Sequence, residues 1–427
     1  MSQRGIAGRS LAAFRKRLRA WYARHKRAMP WRGTRDAYRV WVSEVMLQQT
    51  RVAAVEPYYR RFVKTFPTVR ALARARSEDV LQLWAGLGYY RRARNLHRAA
   101  KEMVAKHGGK FPREAEAALA LPGVGRYTAA AVLSIAYGEP LAVVDGYVAR
   151  VVARLEAVRG ELREAGRWRK LESKAQELLT AEKTKSEKRK TKNGKTTDDA
   201  RSDLRAGRRS LRSARHTKPG EWNQAMMELG ATVCTPRTPR CEECPVAKWC
   251  RARKLGLVEK IPSARKKHAA EKIEIAAAVL VDARGRTLLV KPEKAETNGL
   301  FSGMWQFPAV EMKRVARGQN LLEQQIHVDR RRWGKKNEEK RKRGSEEGER
   351  PELNGAWVEL GAVKHSVTYR EITLRPFVVR VRELPAVKGG RAVQLAKVSE
   401  MAVSSATKKI ARAAEKGLGV REGAARP

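Results

Sequence analysis

Two carboxylates and four thiols are the groups in this 427-residue chain from which chemistry can first be argued. Glu44 stands in an otherwise apolar stretch, Tyr38 to Gln49, and Asp145 follows Leu141-Ala-Val-Val144 at the exit of another. A pair of carboxyl groups suits the breaking of a glycosidic bond. One donates a proton to the leaving group, and the other stabilises an oxocarbenium-like centre. Only the fold can bring the two together, and an isolated helical glutamate is more commonly exposed or ion-paired. The cysteines read Cys234-x6-Cys241-x2-Cys244-x5-Cys250, four thiols within 17 residues. They can close around one metal centre, and the spacing alone leaves zinc and iron–sulfur equally open. Arg237, Arg240, Lys248, Arg251 and Arg253 surround them, so that loop carries positive charge. Leu121-Pro122-Gly123-Val124-Gly125 precedes the apolar run Tyr127–Tyr137. Its glycines permit close backbone approach, and amides at the next helix start favour a phosphate; many helix–turn–helix connections carry such glycines for structural reasons alone.

These groups must be positioned by helices. From 11 to 158 apolar residues recur at helical spacing in stretches opening at Leu11, Tyr38, Arg70 and Arg91, each stopped by glycine or proline, as at Pro67, Gly86, Gly88 and Gly108-Gly109. This predicts an all-α architecture. Residues 181–215 hold 13 Lys and Arg against 5 Asp and Glu with no aromatic, a composition that predicts a disordered basic insert. Helical signal returns at Glu221–Gly230, directly before the cysteines, and a charged linker containing Pro262 follows over 256–272. From Ile273 the period changes. Ile273–Val281 and Thr287–Val290 flank Asp282-Ala-Arg-Gly285 as a hairpin, and Thr368–Val381 alternates like a strand. A separate α+β domain over 273–415 is expected, interrupted by a charged loop at 329–350 and followed by a flexible tail, 416–427.

The chain carries 92 Lys and Arg against 45 Asp and Glu, a net charge of +47. Such a field suggests a polyanionic partner, nucleic acid before an anionic membrane. At 42% hydrophobic residues the chain can build a core, which excludes wholesale disorder. No signal-type apolar segment opens the sequence and no apolar run reaches the roughly 18 residues of a membrane span. A cytoplasmic, nucleoid-associated protein without membrane contact is expected, and clustered cysteines in a reducing compartment point to a metal or cluster site.

Six motifs, in order, resemble the MutY family of adenine DNA glycosylases: Ser43-Glu-Val-Met-Leu-Gln-Gln-Thr50, Leu83-Trp-Ala-Gly-Leu-Gly-Tyr-Tyr90, Leu121-Pro-Gly-Val-Gly-Arg-Tyr-Thr128, Val144-Asp-Gly146, Asn223-Gln-Ala-Met-Met-Glu-Leu-Gly230 and the cysteine spacing. The likeness is close over 10–160 and 220–255 and loose over 270–415. It implies a mainly α helix-hairpin-helix glycosylase fold over 1–255, with a [4Fe–4S] cluster on Cys234, Cys241, Cys244 and Cys250, then a MutT-like (Nudix-fold) domain that checks for 8-oxoguanine. It also implies base-excision repair by a monomer acting on double-stranded DNA, removing adenine mispaired with 8-oxoguanine or guanine after the base is flipped from the stack.

By motif position the resemblance makes Glu44 the acid that protonates adenine N7 and Asp145 the stabiliser of the sugar cation, with Tyr127 beside them. Gln49, Thr50, Leu87 and Tyr89 match residues that fill or wedge the opened duplex. Arg32 matches a pocket residue, and Gly123 and Gly125 the hairpin turn on DNA. The endonuclease III branch carries a lysine where Tyr127 stands. That lysine forms a Schiff base and cuts the strand, which tyrosine cannot do, so hydrolysis without strand cleavage is expected. Two departures stand out. The family's Asp-Gly-Asn is Asp145-Gly146-Tyr147 here, with the Tyr147 hydroxyl offered in place of the amide. The Phe-Ser-His reading loop is Val367-Thr368-Tyr369, in which Thr368 keeps a hydroxyl. Gly299 to Pro308 fits the MutT-like pattern, and the lack of a Nudix glutamate array predicts no pyrophosphatase activity. Two alternatives remain: a thymine or uracil mismatch glycosylase of the same superfamily, and a catalytically idle damage-binding protein.

Overall fold

Apolar residues at helical spacing become buried helix faces. In α1 (Gly8–His25), Leu11, Phe14, Leu18, Trp21 and Tyr22 form one stripe that enters the core. The computed structural model describes residues 8–180, 218–264, 270–291, 304–312, 356–367, 370–387 and 389–418. The expected insert at 181–215, the tract at 329–350 and Thr368 lie outside them.

The chain divides into two units, residues 1–75 with 91–266 and residues 76–90 with 267–427. The first unit is helical: α2 (Ala37–Leu47), α3 (Val52–Thr65), α4 (Val69–Arg74), then α6 (Arg91–Lys106), α7 (Ala115–Ala120), α8 (Arg126–Val132), α9 (Gly146–Leu155), α10 (Ala165–Thr180), α11 (Pro219–Thr232) and a short α12 (Arg251–Lys254). Its α5 (Ser77–Trp84) neighbour in sequence groups with the second unit. The helix expected from Arg70 to Leu83 is therefore two helices broken near Ala75. The reason is visible in the second unit's own bonds. The Lys291 ammonium pairs with Glu78 at 2.7 Å, and the Gln82 amide donates to the Glu400 carbonyl at 2.9 Å.

One core of the first unit joins α1, α9, α10 and α11 to the cysteine segment. It also contains Ile261, only 1% exposed, and the Ser263 amide donates to the Gly160 carbonyl. The start of the expected linker 256–272 is thus packed into this unit, because one isoleucine finds an apolar site that charge composition cannot reveal. The expected helix Tyr127–Tyr137 forms as α8 followed by a π-helical turn, Leu133–Tyr137. π-turns locally re-aim the side chains around them. Between α7 and α8 lies the hairpin turn. Gly123 has φ +77°, and a Cβ there would meet Asn95 at 2.7 Å, so glycine is required on both counts.

The second unit holds a mixed sheet: β1 (Glu271–Val281), β2 (Arg286–Val290), β3 (Ala309–Met312), β4 (Val358–Glu359), β5 (Val363–Val367), β6 (Arg370–Arg380) and β7 (Gly390–Gln394), with α13 (Ser405–Gly417). The main order is β4-β6-β1-β2-β7. β1 runs parallel to β6 from Glu271↔Arg370 to Val281↔Arg380. Its run Ile275–Val281 is apolar on both faces, and alternate residues enter two separate cores, one of them completed by Ile410, Ala411 and Ala414 of α13. The expected hairpin at 282–285 is present; the Asp282 carboxylate accepts from the amides of Arg284 and Arg286. α13 reaches Gly417, two residues into the stretch 416–427 expected as a tail, and residues 419–427 lie outside the described ones.

Candidate active site

α2 is apolar almost all round. From Tyr38 to Met46 only Arg39 escapes burial, which carries Glu44 into the interior at 6% exposure. The helix starts at Asp36, whose carboxylate accepts from the Tyr38 amide at 2.9 Å. Its end is held by Arg92 of α6. One guanidinium nitrogen donates to the carbonyls of Val45, Met46 and Gln48, and the other to the Thr50 hydroxyl at 3.1 Å. This clamp fixes the loop Gln48–Thr50, in which Gln49 is left-handed at φ +57°, a conformation unusual for a side chain without a local bond.

Tyr127, the second residue of α8, donates its hydroxyl to Glu44 Oε2 at 2.6 Å, with the Met227 sulfur 3.6 Å away. Burial pushes the Glu44 carboxyl up to about 7; the Tyr127 hydrogen bond and Arg32 oppose this, and Asp145 adds to it. Tyr127 is pushed well upward by its own burial, so its phenol stays a donor. Asp145 is the N-cap of α9, and its Oδ1 accepts from the Val148 amide at 2.7 Å. Burial raises its carboxyl too, against the backbone amides of Val148 and Tyr147 that favour the charged form.

Glu44, Tyr127 and Asp145 line one cavity of about 610 Å³, within the range of small-ligand sites. Arg32, Gln49, Thr50 and Tyr147 line it as well. Gly123 and Gly125 sit apart in the hairpin turn, and Leu87 and Tyr89 belong to the other unit. The Tyr147 hydroxyl makes no hydrogen bond to a described residue, so it does not hold the Asp145 carboxylate. Backbone amides do that instead.

Three residues of this site escaped sequence reasoning. Glu228 of α11 is 1% exposed and lies between Arg27 and Arg32. Arg27 Nε donates at 2.7 Å and Nη2 at 3.0 Å, while Arg32 Nη2 makes a very short bond at 2.5 Å. Burial alone would raise this carboxyl, but the two guanidinium groups hold it down to about 2. Asn223 accepts from the Val143 amide and donates to the Leu141 carbonyl and the Ser134 hydroxyl, tying the segment before Asp145 to α11. Arg92 is the third. The signal for Glu228 was the one that marked Glu44, a charge inside an apolar helix.

The four cysteines line a second, smaller cavity in the first unit, with Arg154, Arg240 and Arg253 around it. Among the described residues no three His, Cys, Asp or Glu side chains converge on one ion-sized point. The four thiols, from one segment and around one hollow, are a donor set that an iron–sulfur cluster takes. Burial pushes Cys244 up to about 12 and raises Cys241 and Cys250, so a bound cation is what would draw out the thiolates. α9 braces this segment: Arg154, 1% exposed, donates to Cys234 Sγ at 3.2 Å and to the carbonyls of Thr235, Pro236 and Ile261. When bound, the cluster cross-links the segment. The same helix thus presents Asp145 at its start and supports the cysteines along its length.

Residues 42–179 match the family model of the HhH-GPD superfamily base excision DNA repair protein, and residues 234–250 match the iron-sulfur binding domain of endonuclease III. The four cysteines are accordingly a [4Fe–4S] motif, and the resemblance drawn from the motifs holds. The chain is 44% identical over 252 residues to the adenine DNA glycosylase of Homo sapiens, covering 57% of this chain and 40% of that protein. It is 34% identical over 336 residues to that of Arabidopsis thaliana, covering 69% and 47%. To the adenine DNA glycosylase of Buchnera aphidicola subsp. Schizaphis graminum it is 31% identical over 259 residues, covering 60% and 65%. The chain thus spans about two fifths of the length of the human relative. No helix among the described residues is long and apolar enough to cross a membrane.

Proposed function

We propose that this chain is a monofunctional DNA N-glycosylase of base-excision repair, which hydrolyses the bond between adenine and deoxyribose where adenine is mispaired with 8-oxoguanine or guanine. The observation that carries this reading is the Glu44 carboxyl, buried, bonded to Tyr127 and pushed up to about 7, in one cavity with Asp145. A carboxyl balanced near neutral pH is partly protonated where the enzyme works, as a general acid must be.

The base leaves the duplex and enters the cavity. Glu44 hands its proton to adenine N7, which weakens the glycosidic bond as electrons flow into the ring. The Asp145 carboxylate faces the sugar cation that develops, and water completes the hydrolysis. Tyr127 holds Glu44 in place. Without an amine at this position no Schiff base forms and the strand stays whole. Gln49 and Thr50 are assigned to filling or wedging the opened duplex, as, by motif position, are Leu87 and Tyr89, and Gly123 and Gly125 offer backbone amides to phosphate. Arg32 helps shape the pocket. The sheet unit is assigned as a MutT-like reader of the opposite 8-oxoguanine; a mixed sheet backed by a helix is compatible with that role. The protein acts as a monomer.

The test is adenine release from duplexes holding a single A opposite 8-oxoguanine, G or T, with and without hot alkali. Release opposite 8-oxoguanine and G, with strand scission only after alkali, is expected. No release, or scission without alkali, overturns the reading.

A further inference from the structure

Tyr147 is the second residue of α9, two places after Asp145, and forms part of the wall of the cavity that holds Glu44 and Tyr127. It is 50% exposed, one of the few large apolar side chains left so bare among the described residues. Yet it is held in place. The Arg150 guanidinium lies 5.6 Å from its ring centroid and is itself anchored to the carbonyls of Gly230 and Cys234, at 2.8 Å each. The backbone beneath packs directly on α11, where a Cβ at Gly230 would stand 2.8 Å from the Tyr147 carbonyl oxygen and its Cβ. Nothing among the described residues bonds to its hydroxyl. A fixed aromatic ring, bare on one side at the wall of a cavity and with an unused hydroxyl, is suited to stacking rather than hydrogen bonding.

We propose that Tyr147 is a specificity-determining residue whose ring packs against the purine deoxynucleotide turned into the cavity, the hydroxyl taking no part. This rests on the glycosylase reading above. It differs from the polar role that the family's asparagine suggests for this position, because the carboxylate of Asp145 already has its donors in the backbone.

The experiment uses the full chain and a duplex carrying 2′-fluoro-2′-deoxyadenosine, which resists cleavage, opposite 8-oxoguanine. Tyr147→Ala is expected to raise the dissociation constant for this duplex by about tenfold, the order of one base–aromatic stack. Binding of a fully matched duplex should not change, since no base is extruded there. Tyr147→Phe should rescue the loss. With 2-aminopurine as the extruded base, emission in the complex should be brighter for Tyr147→Ala than for Tyr147→Phe, because a stacked ring quenches it. The proposal is overturned if the alanine variant binds the modified duplex as wild type does, if phenylalanine fails to rescue, or if matched and modified duplexes weaken together. Wild-type protein that frees no adenine from a cleavable duplex would instead sink the glycosylase reading, and the binding arm would still judge Tyr147.

Discussion

Glu44 and Glu228 line one cavity, at 6% and 1% exposure, and are driven in opposite directions. Burial raises both. Glu44 has one neutral donor, the Tyr127 hydroxyl, and ends near 7. Glu228 has two guanidinium groups and ends near 2. Burial alone therefore does not decide the protonation of a carboxylate; the charge of its donors does. One carboxyl keeps a proton available near neutral pH, and the other keeps a permanent negative charge that orders Arg27 and Arg32. Titratable groups pushed apart in one site mark a division of labour between acid and scaffold.

The sharpest way to break this comparison is to remove ionisation from each side in turn. Glu44→Gln keeps the shape and a partner for Tyr127 but has no proton to give. Base release should fall by roughly 10²–10⁴-fold, while duplex binding measured by gel shift stays near wild type. A loss of only a few-fold would remove Glu44 from the chemistry. Glu228→Gln should act on stability first. It leaves two guanidinium groups facing a neutral amide, and the cost is about 3 kcal/mol, towards the low end for a broken buried pair because Arg27 is 44% exposed. A lower urea midpoint for Glu228→Gln, and none for Glu44→Gln at neutral pH, is the expected pattern. The reverse pattern would mean that the two roles are exchanged.

Why the role of one glutamate was legible in the sequence and the role of the other was not follows from where their partners lie. Glu44, Asp145 and Tyr127 each sit in a motif whose local form, an apolar helix, a helix start or a hairpin, already suggests a site. Glu228 also sits in such a motif, as a charge inside an apolar helix; its partners are Arg27 and Arg32, far away in sequence, and no local period reports an ion pair of that kind. The same holds for the fold. Helical and strand periods marked most elements, including the hairpin at Asp282. The packing of Ile261 into the helical core and the grouping of residues 76–90 with the sheet unit depend on long-range contacts and were missed. The unused hydroxyl of Tyr147 belongs to this class too, because the backbone supplies the bonds that its side chain was expected to make.

The comparison also predicts opposite pH dependence of stability. Glu44 has a folded value near 7 against an ordinary 4.5, so its contribution is fully present below about 4.5 and is lost as pH rises through about 7. Glu228 has a folded value near 2, so its contribution is present above about 4.5 and is lost as pH falls towards 2. Relative to wild type, Glu44→Gln should therefore gain about 2 to 3 kcal/mol between pH 5 and pH 8. Glu228→Gln should show its full deficit at both values and recover only below about pH 4. Urea midpoints of both variants across this range check the signs. Parallel curves for the two would show that their environments are not opposed.

Tyr127→Phe tests the comparison most finely, because it leaves every charge in place. Tyr127 is the only hydrogen-bond donor to the Glu44 carboxyl among the described residues, and that bond favours the ionised form. Removing it should raise the Glu44 carboxyl further. The rate of base release needs the protonated acid, so it falls as pH rises through about 7 in wild type. In the phenylalanine variant that fall should move up by roughly one pH unit, the order of a single hydrogen bond to a charged group. The rate on the acid side should drop by no more than about tenfold, reflecting a less firmly held carboxyl. Single-turnover rates between pH 5 and pH 9 give both quantities. If the midpoint stays where it was while the plateau falls, Tyr127 only positions Glu44 and burial alone holds its proton. If the midpoint moves down, the hydrogen bond favours the neutral acid, the opposite of what the donors of Glu228 do.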